Sequence, residues 1–255
     1  MNKFFERRGP IRGVEALLDQ IKALGRGQYL GPVYLRGQRD SGYGLRPSIG
    51  RKHSFGGKVI DRFTEEQERN LLHRFRRYAY LHCRRDIGPW EALILARHHG
   101  LPVRLLDWTP NPLVALYWAC ADDNNTEGAI WAFRQREDAE EIDIFDPQLK
   151  SPMEVHGVKI IQPFHASIRM TVQSSIFTIQ HNPWKNLEEY APDDYRKKDF
   201  DIEELAVWPV PAECKTGILE NLEKVGINQR TLFPDLSGIA SGLWQTEVLR
   251  SGKGK

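Results

Sequence analysis

The sequence predicts an α+β fold built as a single domain. Helical patterns of apolar residues collect in the first half of the chain, and short apolar runs typical of strands collect in the second half. Segregated helices and strands favour an α+β fold, whereas strict alternation favours parallel βαβ units. Neither a composition break nor an internal repeat divides the chain. We therefore expect one domain over residues 1–255, with N-terminal helices packed on a mixed or antiparallel sheet and a β-richer half over residues 128–255.

Helix-capping and helix-breaking residues mark the helices of the first half. Thr64 and Gln67 form a capping-box pair at the start of a long helix. Its predicted apolar face consists of Leu71, Leu72, Phe75, Tyr78 and Ala79. The other predicted helices are 14–24, ending at Gly25, then 89–99, ending at Gly100, and a buried helix that begins at Pro112 after a cap at Thr109 or Asn111.

Most strands are predicted in the second half, from short runs bounded by turn residues. A strand over 33–35 runs into Arg36, and the remaining strands are expected at 103–108, 128–134, 158–162, 168–172, 176–179 and 206–210. Helices are expected at 183–190, 213–225 and 236–249. The acidic stretch 199–204 is expected to be a solvated link.

Net charge, cysteine spacing and the length of apolar runs indicate which classes of protein the chain can belong to. A net charge of +2 provides no bulk attraction to nucleic acid or to a membrane, so we interpret the arginine clusters at 74–77 and 84–85 as solvated helix faces. Cys83, Cys120 and Cys214 lie far apart without metal-site spacing, which is typical of free thiols in a reducing compartment. We find no signal-peptide core and no apolar run of membrane-spanning length. We expect a cytoplasmic protein with no membrane partner and no metal.

The segment ARHHGLPVRLLDWTPNPLVALYWA, residues 96–119, is the strongest candidate for a functional site. It places many polar and ionisable groups between two apolar helix patterns, where the chain changes direction. Ligands are commonly held at such turns on rigid elements. Phosphate-binding glycine loops, a GxSxG elbow and an HExxH metal motif are all absent from the chain.

Individual polar residues leave two interpretations open. Arg36, at a strand end beside Gly37, offers a guanidinium fork to a phosphate or carboxylate, or forms a structural salt bridge. Arg104 and Asp107 are three residues apart, so on one strand they face opposite sides and each needs its own partner. Alternatively, Arg104 and Asp107 form a buried ion pair with each other at the turn. Thr109 is expected first as a helix cap, although a capped helix start also suits an anion.

Two further groups are ambiguous. Gln173 lies between predicted strands, where its amide either orients a ribose hydroxyl or satisfies loop backbone. Adjacent His98 and His99 point about 100° apart on a helix and cannot bind one metal as a helical pair. Each histidine has either a structural or a catalytic role. Asp235 is expected to cap the helix that follows it.

Several short motifs follow one another in a fixed order along residues 34–119. They are Arg-Gly-Gln at 36–38, Leu-Arg-Pro-Ser at 45–48, His-His-Gly-Leu-Pro at 98–102, Arg-Leu-Leu-Asp-Trp-Thr at 104–109, Asn-Pro-Leu at 111–113 and Ala-Leu-Tyr at 115–117. In this ordered set the chain resembles the FRG domain, a family named for a Phe-Arg-Gly signature. Weaker likenesses continue over 173–178 and 231–238. The chain departs from the family at Leu35, which replaces the signature aromatic, and at Val103, which replaces a usual threonine.

The order of these parts is also similar to that of ADP-ribosyltransferases. This likeness implies an ADP-ribosyltransferase-like fold in which Arg36 holds the phosphate or ribose of NAD, Thr109 supports the site, and Trp108 or Tyr117 stacks on nicotinamide. Gln173 would stand near the position of a late glutamate. Because glutamine carries no negative charge, either Asp107 or Glu154 must replace that glutamate, or the site binds without catalysis.

Three classes of function are therefore compatible with the sequence. The first is an NAD-dependent ADP-ribosyltransferase or NAD glycohydrolase, an effector of toxin or phage-defence type with a protein or nucleic-acid target and a neutralising partner protein. The second is a non-catalytic module that binds a nucleotide or a partner. The third is a nuclease or other hydrolase with a histidine base. The candidate catalytic residues are Arg36, His98, Asp107 and Gln173, and the candidate NAD-binding residues are Arg36, Gly37, Gln38, Arg46, His99, Arg104, Trp108, Thr109 and Tyr117.

Overall fold

A computed structural model describes residues 4–24, 31–121, 125–146, 148–149, 151–164, 168–190, 194 and 196–251. Its strands are β1 (Phe5–Arg7), β2 (Val33–Gln38), β3 (His53–Phe55), β4 (Lys58–Ile60), β5 (Leu105–Trp108), β6 (Gly128–Gln135), β7 (Val158–Ile161), β8 (Ile176–Gln180) and β9 (Ile202–Val210). Its helices are α1 (Val14–Leu24), α2 (Glu65–Cys83), α3 (Pro89–His98), α4 (Pro112–Cys120), α5 (Ile168–Val172), α6 (Ala212–Lys224), α7 (Gln229–Leu232) and α8 (Leu236–Ser251).

The strands form two main sheets and a hairpin. Sheet A has the order β1-β9-β6-β2, in which β1 is parallel to β9 and the other pairs are antiparallel. Sheet C has the order β5-β8-β7 and is antiparallel, and β3 pairs with β4 as a separate hairpin. The α+β class and the mixed sheet expected from the sequence are confirmed.

The core has four layers. One face of sheet A packs against α1, α4 and α6, through residues such as Leu35, Ile130 and Trp208. Its opposite face, including Tyr34 and Phe133, packs against sheet C. The outer face of sheet C packs in turn on α3. The sequence led us to expect helices on one sheet, but the chain forms two facing sheets with helices on both outer sides.

Capping residues behave as the sequence predicts. Thr64 and Gln67 form the capping box at the start of α2, with the Gln67 backbone N–H donating to Thr64 Oγ1 at 3.2 Å. Asn111 caps α4, since its Oδ1 accepts from the Leu113 N–H at 3.0 Å. Asp235 Oδ1 likewise accepts from the Gly238 N–H at 2.7 Å, which confirms a capping role at α8. The expected cap at Gly25 lies outside the described residues.

Three segment predictions are wrong. Residues 168–172 form the short helix α5 rather than a strand, because the alternation of Ile168, Met170 and Val172 with polar residues is too short to decide the structure and only Met170 is buried. Residues 183–190 contain only a 3₁₀ turn at Leu187–Glu189. The stretch 199–204 is not a solvated link, since it enters β9 and only Glu203 is exposed, whereas Asp201 is buried and accepts hydrogen bonds from Lys159 Nζ at 2.8 Å and from the Ile160 N–H at 2.9 Å.

Helix α2 also differs from its predicted burial. Leu71, Leu72, Phe75 and Ala79 face inward at least in part, but the side chain of Tyr78 is 69% exposed. None of the helices in the described ranges combines the length and the apolar character that crossing a bilayer requires.

Candidate functional site

The candidate site lies where the two sheets meet. A single antiparallel bridge joins β2 to the residue after β5, with the N–H of Leu35 and of Thr109 each donating to the other's carbonyl at 2.8 Å. A cleft of about 250 Å³ opens beside this bridge. This volume is slightly below the range of about 300–1,000 Å³ typical of small-molecule sites. The lining residues are Leu35, Arg36, Gly37, Arg97, Asp107, Trp108, Thr109, Val114, Trp118, Arg169, Gln173 and Ser175.

Arg36 and Asp107 meet across the junction of the two sheets. Arg36 Nη1 donates to the Asp107 backbone carbonyl at 2.9 Å and lies 3.4 Å from Asp107 Oδ2. Arg36 Nε is buried and has no hydrogen-bond partner among the described residues. Burial lowers the pKa of Arg36 to about 10, while Asp107 opposes that shift. The guanidinium therefore remains charged at neutral pH and keeps an unused donor.

Arg97, at the end of α3, binds the same carboxylate. Its Nε lies 2.9 Å from Asp107 Oδ2 and 3.2 Å from Oδ1, and its Nη2 also donates to Oδ2. Burial alone would raise the pKa of Asp107, but the charges of Arg97 and Arg36 lower it overall. Asp107 is thus an ionised carboxylate shared by two guanidinium groups.

Arg169 adds a third guanidinium to the cleft. It lies 4.2 Å above the ring of Phe233 and forms no ion pair among the described residues. Arg51 stands farther away, yet its charge contributes to lowering the pKa of Arg36. Three arginines and one aspartate give the cleft lining a formal charge of +2. Planar guanidinium groups around one cavity are suited to a phosphate or carboxylate.

An aromatic wall closes one side of the cleft. Trp118, on α4, is partly exposed there, and its ring packs edge-on against Phe233 with centroids 5.5 Å apart. Trp108 also contacts the cavity but is only 2% exposed. Its Nε1 donates to Thr178 Oγ1 at 2.9 Å, and its ring packs on Phe133. Trp118, rather than Trp108, has a ring face that a ligand can reach.

Thr109 and Gln173 hold the opposite wall together. Thr109 Oγ1 donates to the Gln173 backbone carbonyl at 2.8 Å and accepts from the Asn111 N–H at 3.1 Å. Gln173 Nε2 donates to the Leu232 carbonyl at 3.0 Å. Ser174 follows in the left-handed backbone region, with φ of 48°, at the start of the turn into β8. Most of the hydrogen-bonding capacity of Thr109 is therefore used within the protein.

Gly37 lines the cleft, but close packing against α4 explains why this position is a glycine. A Cβ built there would lie 1.9 Å from the Ala115 carbonyl oxygen and 2.6 Å from the Ala119 nitrogen. A side chain would force α4 away from β2. The sequence analysis placed Gly37 among the NAD-binding residues, whereas here its missing side chain makes room for the backbone of α4.

Several expected site residues lie elsewhere. Arg104 is 1% exposed and forms an ion pair with buried Glu68, with Arg104 Nη2 2.7 Å from Glu68 Oε2. This bond occupies the guanidinium and confirms that Arg104 and Asp107 have separate partners. Gln38 Oε1 accepts from Trp131 Nε1 at 2.9 Å, and Arg46 Nε donates to Asn186 Oδ1 at 2.9 Å.

Tyr117 and the two histidines also stand outside the cleft lining. The Tyr117 hydroxyl donates to Gln229 Oε1 at 2.7 Å, on the side of α4 away from the cleft. His99 is exposed, and His98 is half-buried with its ring 5.0 Å from that of His99. Burial first, and then the charges of His99 and Arg169, lower the pKa of His98, which keeps it neutral at neutral pH. Glu154 is exposed in the 3₁₀ turn Pro152–Glu154 and does not line the cleft.

Sequence reasoning missed Arg97, Trp118, Arg169 and Ser175. Arg97 stands in the same ARHHG motif as the histidines, and a charged residue in the last turn of a buried helix was an available signal. Arg169 was not recognised as a site residue because its segment was predicted to be a strand rather than the helix α5. Within the described ranges, no three side chains of the metal-binding types His, Cys, Asp and Glu come together as a metal site would require.

The FRG domain family model matches residues 31–128, which confirms the resemblance to this family over that part of the chain. The match encloses the motif-rich region 34–119 and contributes Arg36, Arg97 and Asp107 to the cleft, whereas Arg169 and Gln173 come from beyond it. No curated protein and no solved structure matches the chain.

Proposed function

We propose that the cleft binds the pyrophosphate of NAD and that the protein is an NAD-dependent ADP-ribosyltransferase-like effector. The observation that carries this proposal is the convergence of Arg36, Arg97 and Arg169 on one cavity between two sheets. A pyrophosphate has two negatively charged phosphates, and a guanidinium group can bind two oxygens of a phosphate through two parallel N–H donors. Trp118 provides a ring face for the nicotinamide.

Asp107 has two successive roles in this proposal. In the free protein its carboxylate pairs with both Arg36 and Arg97 and offsets one of their two positive charges. A bound pyrophosphate competes for both arginines and releases Asp107, the only carboxylate among the described cleft-lining residues. The freed charge then stabilises the cationic ribose that forms when the bond between ribose C1′ and nicotinamide nitrogen breaks. The bonding electrons leave with nicotinamide, and a nucleophile of the target forms the new bond to C1′.

The remaining site residues position the reactants. Thr109 fixes the Gln173 turn, and Gln173, which is neutral, offers no charge to the cationic ribose. His98 does not line the cleft, but it is close enough to Arg169 and Asp107 for their charges to affect its pKa, and its neutral ring is the proposed acceptor of the target's proton at the edge of the cleft. The proposal extends to a protein or nucleic-acid target, a cytoplasmic setting, a toxin or phage-defence role and a neutralising partner protein.

The test is incubation of the purified protein with NAD, with and without cell lysate, followed by mass spectrometry of free nicotinamide and of ADP-ribosylated products. Arg36→Ala should reduce nicotinamide release roughly 10- to 150-fold, because hydrogen bonds to charged groups contribute about 1.5–3 kcal/mol. Arg12→Ala is the matched control, since Arg12 is 62% exposed and far from the cleft lining. Equal release by Arg36→Ala and Arg12→Ala would refute the proposal.

A second candidate function is a module that binds a nucleotide without turnover. It is favoured by the pairing of Asp107 with two arginines and by the neutral side chain of Gln173. Calorimetric titration with NAD separates the candidates. NAD binding that depends on Arg36, without nicotinamide release, supports the module, whereas the absence of both binding and release contradicts both functions.

A further inference from the structure

Helix α2 has an unusual division of charge. Its acidic residues, Glu65, Glu66 and Glu68, stand in the first turn. The following segment 73–85, HRFRRYAYLHCRR, contains five arginines and no acidic residue. The sequence alone permits all five arginines to be paired with acids from elsewhere in the fold, which would leave an ordinary solvated face.

The structure pairs only two of these arginines. Arg76 forms a salt bridge with Asp86, and Arg85 forms one with Glu91. Arg74, Arg77 and Arg84 have no acidic partner within the part of the chain that the structure describes. Two of these unpaired guanidinium groups, Arg74 and Arg77, line one groove, and the third, Arg84, stands at the C-terminal cap of α2.

Large apolar and aromatic side chains are exposed among these cations. The exposed fraction is 69% for Tyr78, 54% for Tyr80 and 76% for Leu81. Cations and exposed apolar or aromatic side chains line the same shallow groove of about 650 Å³. Its lining residues are His73, Arg74, Arg76, Arg77, Tyr78, Tyr80, Leu81 and Asp86. Asp86 is the one acid among the described residues of this lining, and Arg76 already neutralises it.

We propose that this α2 groove binds single-stranded nucleic acid. Unpaired arginines suit backbone phosphates, and exposed tyrosine rings between them suit unstacked bases. A base-paired duplex presents no free base faces to the tyrosines, and an acidic peptide has charge without stacking rings. The combination of unpaired cations and exposed rings therefore favours a single strand over either alternative. This surface is separate from the cleft, and its occupancy does not depend on NAD binding.

The experiment measures fluorescence anisotropy of labelled single-stranded RNA and DNA oligonucleotides titrated with the full chain. A duplex of equal length and a polyglutamate peptide of similar charge are titrated alongside. If Arg74, Arg77 and Arg84 each contact a phosphate, the slope of log K against log salt is about −2, so affinity falls roughly twentyfold between 50 and 200 mM salt.

Two variants and one control locate the binding site. Arg74→Gln/Arg77→Gln should reduce the fall in affinity over the same salt range to roughly threefold, because one phosphate contact remains. Tyr78→Ala/Tyr80→Ala should weaken single-strand binding at least about fivefold, because stacking is lost. Arg7→Gln/Arg12→Gln removes the same charge from exposed positions outside the groove and should bind as the parent chain does. Unchanged thermal unfolding curves would show that each variant is folded.

Four results would overturn the proposal. They are no binding of single strands at 50 mM salt, equal losses in the groove and control variants, equal affinity for the duplex with no effect of the tyrosine substitutions, and polyglutamate binding as tight as that of the oligonucleotides. The last result would assign the groove to an acidic protein partner instead.

Discussion

Replacing Glu68 with glutamine should destabilise the protein by about 3–5 kcal/mol, the cost of breaking a buried ion pair from one side. The pair joins α2 to the start of β5. Glu68 is fully buried and Arg104 is 1% exposed, so water cannot replace the lost charge. Glu68 accepts from Arg104 Nε, Arg104 Nη2 and the Arg104 backbone N–H. Glutamine keeps the shape but leaves the guanidinium buried without a counter-charge.

The assay is urea unfolding followed by tryptophan fluorescence, supported by thermal unfolding. For a chain of this size the loss corresponds to a fall in Tm of roughly 6–20 °C. Glu65→Gln is the matched control, because its pair with Arg69 is exposed and such pairs contribute about 0–1 kcal/mol. The double variant Glu68→Leu/Arg104→Met should recover stability relative to Glu68→Gln, because an apolar pair needs no counter-charge.

Two results would contradict the predicted cost of leaving Arg104 buried without a counter-charge. If Glu68→Gln and Glu65→Gln lose the same stability, the burial of the pair has no energetic consequence. If the double variant is less stable than Glu68→Gln, the ion pair itself provides net stabilisation beyond the cost of an uncompensated charge.

Three further predictions follow from the packing and the charges. Gly37→Ala should destabilise the fold by about 1–3 kcal/mol, because its Cβ would meet the Ala115 carbonyl oxygen, and urea unfolding measures this loss. The folded-state pKa of Asp107 is lowered, so its contribution to stability is present above its unfolded pKa of about 3.9 and is lost as pH falls through the folded value. The difference in Tm between the parent chain and Asp107→Asn should therefore shrink from pH 7 to pH 3, and a constant difference would contradict the assignment. Burial raises the pKa of Cys120 to about 12, so mass spectrometry after alkylation at pH 8 should find Cys120 labelled only in the unfolded protein.

The sequence predicted most helices because the start and end of a helix depend on residues that are close together in the chain. The capping box at Thr64, Pro89 at the start of α3 and Asn111 before Pro112 act within a few residues of chain. The segment 168–172 lacks such a signal, and its apolar residues fit a strand as well as a helix. Asp201 was assigned to solvent because a carboxylate is usually exposed, whereas its distant partners Lys159 and the Ile160 N–H explain its burial.

The site was harder to predict than the fold because its contacts connect distant parts of the chain. Strand alternation showed that Arg104 and Asp107 need separate partners, but their pairing with Glu68 and Arg97 became identifiable only in three dimensions. The approach of Arg36 to Asp107 likewise depends on the bridge between Leu35 and Thr109. A sequence pattern identifies which groups need partners, whereas the packing of sheets and helices selects them.

The pairing of β5 with β8 constrains the order in which the cleft can form during synthesis. β5 carries Asp107, and its named-strand partner in the described structure is β8, which begins at Ile176. A nascent chain that has emerged only through residue 128 includes the whole FRG match but lacks β8 and the wall formed by Arg169 and Gln173. Contacts between residues this far apart close slowly, because the loop must be ordered first. The cleft is therefore assembled late, after the last of its contributing segments leaves the ribosome.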